Sequence, residues 1–412
     1  MKSRVLVCVG LALLATGFVA SGSAFGQESA PSVGRDLRDW ANRSSRVSQP
    51  NGEAEAPPPV TAQWSSTFNS TTHTGLTAPA ADYDPATNTM MVFGGYDWGL
   101  GGADTNAVLL YAPANGAGNW TTLIANGSAG APAARDRHSA VYDSANNRMI
   151  VFGGEIFSSS TDLNDVWVLS NANGQGGAAS WTQLSPSGPL PPARAAHKAM
   201  YDATNNRMIV FGGGAGGNFT QVFHDVWVLS NANGLGGTPA WTKLSPGGVG
   251  PNVLFTSAVY DSTNNIMAVF GGSTPTGASN GVWTLAHANG LGGTPHWTNI
   301  VANGAPGSPA RRSGHTAVYD TANNRMIVFG GQPASGPYMW IGFNDVWVLT
   351  NANGLGGLPV WTRLNISGPA PGTRFEHVAV YDQVNNRMMV CGGNNLDAAF
   401  FASWTLTHAN GL

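Results

Sequence analysis

The sequence predicts an all-β protein made of six copies of one four-stranded unit, and three observations predict it. Adjacent glycines recur as Gly94-Gly95, Gly153-Gly154, Gly212-Gly213, Gly271-Gly272, Gly330-Gly331 and Gly392-Gly393, at four intervals of 59 residues and a last one of 62. A fixed period of this length marks one supersecondary unit copied along the chain. Each copy holds four strand-length segments rich in β-branched and aromatic residues, bounded by turn chemistry. The segment before each double glycine is apolar without alternation, as in Met149-Ile150-Val151-Phe152, which is how a strand buried on both faces reads.

The second copy shows the segments in order: His138 to Asp143, Arg148 to Gly154, Asp165 to Leu169, and Trp181 to Leu184. Five copies place Asn-Asn between the first two segments, for example Asn146-Asn147 and Asn205-Asn206. Asparagine tolerates left-handed backbone and bonds its own main chain, which suits a tight hairpin. Ala-Asn-Gly follows the third segment in all six copies, from Asn115-Gly116 to Asn410-Gly411, and Asn-Gly is a strong turn signal. Each copy therefore reads as an antiparallel meander. Ala81, Ala140, Ala199, Ala258, Ala317 and Ala379 hold one fixed position in the first segment. Small residues fit where strands crowd nearest an axis, so the expected architecture is a β-propeller with this segment innermost.

Trp64 explains how the ring closes. It lies 19 residues before Tyr83, while the other fourth-segment tryptophans lie 19 to 22 residues before the next inner-strand tyrosine. Trp64 thus behaves as a fourth strand without a unit of its own. The sixth copy, conversely, stops at Leu412 without a fourth strand. Residues near Gln63 to Ser66 are expected to supply it and to hide an edge that would otherwise aggregate.

Charged residues make up only 10% of the chain and the formal net charge is -3, which gives no electrostatic case for nucleic acid or an anionic membrane. Residues 1–26 read as an export signal: Lys2 and Arg4, an apolar run from Val5 to Ala20, then small residues. Its removal leaves no membrane span, and the chain is expected to be secreted or periplasmic. Residues 27–60 are polar, end in Pro57-Pro58-Pro59 and read as a flexible linker. Cys8 lies in the signal. Cys391 replaces the phenylalanine found at 93, 152, 211, 270 and 329, so it reads as a buried apolar filler.

Residues 61–412 resemble the kelch-repeat family. The resemblance rests on an Arg and a His ahead of the inner strand, a hydrophobic strand ending in Gly-Gly, the aromatic third strand (Asp-Val-Trp at 165–167, 225–227 and 345–347) and a Trp opening the fourth. Copies one and four lack the Arg-His pair. The resemblance implies a six-bladed propeller with blades at about 77–123, 136–184, 195–244, 254–300, 313–364, and 375–408 completed by 62–67.

The loops between second and third strands (96–106, 155–164, 214–224, 273–280, 332–344, 394–402) vary most, and variable loops on a rigid scaffold are where recognition lives. They hold Tyr96, Trp98, Glu155, Phe157, Tyr338 and Trp340, aromatic faces beside carboxylates that suit sugar rings. Arg135, Arg194, Arg312 and Arg374, each three residues before a histidine, are expected near the channel mouth. There they either fork onto a ligand carboxylate or serve as structural salt bridges that repeat with the fold. In some kelch proteins, the resemblance suggests, arginines here bind acidic peptides. The four histidines follow the repeat phase and no carboxylate pairs with them in ligand-like spacing, so no metal or cofactor is expected.

The expected function is a monomeric, non-catalytic binding module for carbohydrate or an extracellular or envelope protein. The alternatives are a carbohydrate-active enzyme such as a sugar mutarotase, and an envelope scaffold. The family includes copper-radical galactose oxidases, but their chemistry needs a tyrosine crosslinked to cysteine, and here the mature chain's single cysteine replaces a core phenylalanine.

Overall fold

A computed structural model describes residues 61–68, 75–114, 116–216, 219–274, 276–333, 342–395 and 398–412. They form six four-stranded antiparallel blades. Blade 1 runs Ala80–Asp84, Thr89–Phe93, Val108–Ala112 and Asn119–Ile124. Blade 2 runs Ser139–Asp143, Arg148–Ile156, Thr161–Ser170 and Ser180–Leu184. Blade 3 comprises Lys198–Asp202, Arg207–Phe211, Val226–Ser230 and Ala240–Lys243. Blade 4 comprises Ser257–Asp261, Ile266–Phe270, Val282–Ala286 and His296–Val301. Blade 5 comprises Thr316–Asp320, Arg325–Phe329, Val346–Thr350 and Val360–Arg363.

Blade 6 joins the two ends of the described chain. Phe375–Asp382, Arg387–Asn394 and Ser403–Thr407 are followed outward by Ala62–Phe68. The last two pair antiparallel, with Gln63 opposite Thr407 and Trp64 opposite Leu406. Outside them Ile366–Ser367 adds a short parallel fifth strand, so the outer edge is itself covered. The six innermost strands neighbour one another in sequence, and that of blade 6 neighbours that of blade 1. Backbone hydrogen bonds join five of the six steps of this circle, all but that from Ala196 to Phe255: Arg137 N donates to Ala78 O (3.0 Å), Ala196 N to Arg137 O (2.8 Å), Gly314 N to Phe255 O (2.8 Å), Glu376 N to Gly314 O (2.8 Å), and Ala78 N to Glu376 O (2.8 Å).

Burial of both blade faces gives six apolar clusters, each shared by two adjacent blades. The outer-strand tryptophan of each blade stacks on the second-strand phenylalanine of the blade before: Trp181 on Phe93 (5.0 Å), Trp241 on Phe152 (5.0 Å), Trp361 on Phe270 (4.8 Å). Trp64 takes this place in blade 6, 5.1 Å from Phe329. Where blade 6 carries Cys391 in place of phenylalanine, Trp120 instead meets Phe401 at 4.9 Å. Cys391 is wholly buried, and burial pushes its thiol up to about 12.

The repeated glycines and asparagines are the joints between blades. Gly153 and Gly154 have φ of 62° and 97°. A Cβ on Gly153 would lie 2.8 Å from Arg194 O, and one on Gly154 2.6 Å from Asp136 O. Backbone oxygens cannot yield to a methyl, so both positions require glycine. On the opposite face, Asn147, Asn206, Asn265 and Asn324 adopt φ of 49° to 53° in the inner hairpins, as the turn reading expects. The Ala-Asn-Gly turns do more than reverse the chain. Asn233 Nδ2 donates to Asp143 (2.6 Å), Asn289 to Asp202 (2.6 Å), Asn353 to Asp261 (2.7 Å) and Asn410 to Asp320 (2.6 Å), each carboxylate belonging to the preceding blade. The recurrent Tyr-Asp carboxylate thus caps its own turn and latches the next blade. Asn353→Ala leaves Asp261 short of a buried donor, and the expected loss is about 1–3 kcal/mol in urea unfolding.

Candidate functional site at the channel mouth

The four repeat-phased arginines lie inside the blades, not at the mouth. Arg135, Arg194 and Arg312 are 0% exposed and Arg374 1%. Arg135 donates to Gly153 O (2.9 Å) and forks onto Asp165 at 2.6 and 2.8 Å. Arg194 repeats this with Gly212 O and Asp225, and Arg312 with Gly330 O and Asp345. The Asp-Val-Trp motif now has its reason: the indole N–H two residues on donates to the same carboxylate, as in Trp167 to Asp165 at 2.7 Å. Burial pushes the three carboxyls up, but the guanidinium more than offsets this and their pKa values fall. Where blades 1 and 4 lack the arginine they also lack the carboxylate: Leu76 and Ala107 stand in one, Val253 and Gly281 in the other. Blade 6 keeps Arg374 but carries Ala402 in the aspartate's place, and the guanidinium packs 4.5 Å over Phe400.

The histidines are internal too. His197 Nε2 bonds the hydroxyl of Ser139 (2.8 Å), His315 that of Ser257 (2.8 Å) and His377 that of Thr316 (2.8 Å), each in the preceding blade. Burial and the neighbouring arginine lower all four, His138 to about 3. Below pH 6.5 the unfolded chain takes up a proton that folded His138 refuses. Its contribution to stability therefore falls as pH drops from 6.5 towards 3, by at most about 1.4 kcal/mol per pH unit. Relative to the His138→Gln variant, the wild type should lose stability on acidification over that window, measured as the difference in urea midpoints. Among the described residues no group of three His, Cys, Asp or Glu side chains is placed to hold a metal ion.

The mouth itself is built from the residue one before each histidine position. Ala78, Arg137, Ala196, Phe255, Gly314 and Glu376 all have φ between 49° and 63°. One backbone conformation, linked by backbone hydrogen bonds at five of six steps, thus presents five residue types: alanine twice, arginine, phenylalanine, glycine and glutamate. They surround a cavity of about 60 Å³, lined also by Pro79, Lys198 and the four histidines. Arg137 donates to Glu376 (3.0 Å) and Glu155 (2.5 Å) and lies 5.7 Å over the ring of Phe255. Asp136 and Asp104 flank this network. Burial raises Asp104 to about 6 and Asp136 well above a usual carboxyl, and one oxygen of each is buried without a hydrogen bond.

Of the loop residues singled out in the sequence, Glu155 reaches this network. Tyr96 is buried in edge contact with Trp98 (5.2 Å) and Phe157 (5.1 Å), while Trp98 is 38% exposed and donates to Thr77. Tyr338 and Trp340 lie outside the described residues. Sequence reasoning missed Arg137, Lys198, Phe255 and Glu376. For Arg137, Phe255 and Glu376 the signal was there: stacked in register, the copies show one varying column between the recurrent Arg and His, while Lys198 breaks the Ser/Thr column that follows the His position in blades 2, 4 and 5.

Two overlapping matches to the family model of the KLHDC2/KLHL20/DRC7 Kelch-repeats domain cover residues 175–305 and 291–410, more than half of the chain. The chain belongs to the kelch-repeat family. Among kelch relatives it resembles host cell factor 2 of Homo sapiens, 27% identical over 64% of this chain and 31% of that protein. It also resembles the Rab9 effector protein with kelch motifs of Bos taurus, 27% identical over 52% of each. A third relative is tip elongation aberrant protein 1 of Schizosaccharomyces pombe, 25% identical over 55% of this chain and 18% of that protein. The matches thus span about half or less of these relatives. The solved structure of YjhT superposes with a TM-score of 0.58 at 16% identity, over 80% of this chain and 95% of that one, a likeness of fold. Kelch repeats commonly mediate protein binding, and this chain carries the repeat throughout its six blades.

Proposed function

We propose that this kelch propeller is a non-catalytic binding module that takes a protein partner on the channel-mouth face. The observation that carries the reading is the six-residue ring. The scaffold is nearly the same in every blade, yet the one position aimed at the mouth differs chemically in all but two. Such diversity on a rigid frame is what recognition uses. The cavity of about 60 Å³ is far below the roughly 300–1,000 Å³ of ordinary small-molecule pockets. It suits a protruding end group of a larger partner. Phe255→Ala is a clean test, because Ala78 and Ala196 already occupy this backbone conformation in sister blades. Peptide display against the full chain supplies ligands. Titration should show at least about tenfold weakening in the variant, the 1.4 kcal/mol or more that losing an aromatic interface anchor costs. Undiminished binding would move the site off the mouth.

A carbohydrate partner is the second reading, favoured by half-exposed Trp98 backed by Tyr96. Glycan-array binding that Trp98→Ala abolishes would support it. The same reading places the chain outside the cytoplasm, on the basic and apolar start of the sequence. Sequencing the exported protein from near residue 27 tests that.

A further inference from the structure

The chain contains three lysines, Lys2, Lys198 and Lys243. Lys243 is 55% exposed and lies 3.7 Å from Asp225. Lys198 instead lines the mouth cavity, and among the described residues its side-chain amine makes no hydrogen bond or ion pair. Its placement follows from a gap in the histidine relay. The position it holds in blade 3 is Ser139, Ser257 and Thr316 in blades 2, 4 and 5, where a hydroxyl bonds the next blade's histidine. The blade after Lys198 has Thr256 in place of that histidine, and the threonine hydroxyl turns to Phe270 O at 2.7 Å. The slot is therefore free of its usual partner and filled by an amine that faces the cavity.

We infer that Lys198 is a covalent capture site for small aldehydes, which enter the mouth cavity and condense with its amine to form an imine. The amine nitrogen attacks the carbonyl carbon and forms the C–N bond. The carbonyl oxygen leaves as water with the two amine protons, so no oxidant or reductant is needed. Two features favour the reaction here. Burial lowers the lysine pKa, against the opposing charge of Glu376, and so raises the fraction of free amine. Glu376, which lines the same cavity, is a carboxylate able to relay the protons between nitrogen and leaving oxygen. The small volume restricts the ligand to a few heavy atoms, such as the aldehyde end of a short hydroxyaldehyde.

This inference shares its cavity with the binding reading but does not depend on it, because the label needs no partner to be recognised. The test is brief treatment of the folded full chain at pH 7 with glycolaldehyde and sodium cyanoborohydride, which reduces the imine to a stable amine. Mapping of peptides by mass spectrometry follows. Lys198 should label severalfold faster than Lys243, because burial favours its free amine. The preference should vanish in urea, and Lys198→Arg, which keeps the charge, should abolish the adduct. Equal or faster labelling of exposed Lys243 in the folded protein would overturn the inference, as would Lys198 labelling no faster folded than unfolded.

Discussion

Asp225→Ala is expected to cost about 3–5 kcal/mol of stability, the penalty for stranding a buried charge. Arg194 is wholly enclosed, and Asp225 accepts two of its donors at 2.7 and 3.3 Å. Without the carboxylate, the cation keeps the carbonyls of Pro192 and Gly212 and the ring face of Phe223, and no counter-charge of its own. The urea midpoint should fall, and it should fall far less in the double variant Arg194→Leu/Asp225→Ala. The protein itself supplies the reason: blade 1 has Leu76 and Ala107 at these two positions and remains a four-stranded sheet. A double variant as unstable as the single one would show that the pair organises the loops in a way an apolar side chain cannot. The reverse change belongs to the same argument. Ala402→Asp places a carboxylate where three sister blades have one and should raise stability. A lowered midpoint would mean that blade 6 differs locally from blades 3 and 5, where the same arginine-on-phenylalanine stack coexists with the aspartate.

Trp64→Ala should cost about 3–5 kcal/mol, as for a fully buried large aromatic. The side chain is 1% exposed and stacks 5.1 Å from Phe329, joining blades 5 and 6. Trp241→Ala provides the comparison, since Trp241 is 2% exposed and stacks on Phe152 at 5.0 Å within the continuous part of the chain. The two should lose similar stability. They should differ in association: loosening residues 62–68 uncovers the edge of Ser403–Thr407, so only the Trp64 variant should form dimers or aggregates as concentration rises in light scattering. Equal association by both would mean that core loss alone drives it.

The fold was legible because the features that encode it repeat. Trp64 without a unit and a sixth unit without a fourth strand were enough to assign residues near Gln63 to Ser66 as the fourth strand of blade 6. Cys391 as filler followed from its column of phenylalanines, though not that Phe401 would occupy the vacated contact with Trp120. The mouth was less legible. Recurrence drew attention to Arg135, Arg194, Arg312 and Arg374, and recurrence is what a residue serving the scaffold displays. The residues at the mouth do not recur. Their common feature is a backbone conformation, φ near 50° in non-glycine residues, and no single side chain announces it. Inter-blade partners such as Asn353 with Asp261 are 92 residues apart, beyond any local pattern.

The clasp in blade 6 also sets a schedule. Gln63 and Thr407 are 344 residues apart, so the first strand of the ring must wait for the rest of the ring to be made. At about 5–20 residues per second that wait is roughly 17–70 s. Throughout it five blades can stack while one margin of the array stays unsealed. A ring whose seam is stitched with its first thread and its last finishes all at once, and a chaperone that holds the waiting strand would act on this protein more than on one whose closing blade is continuous.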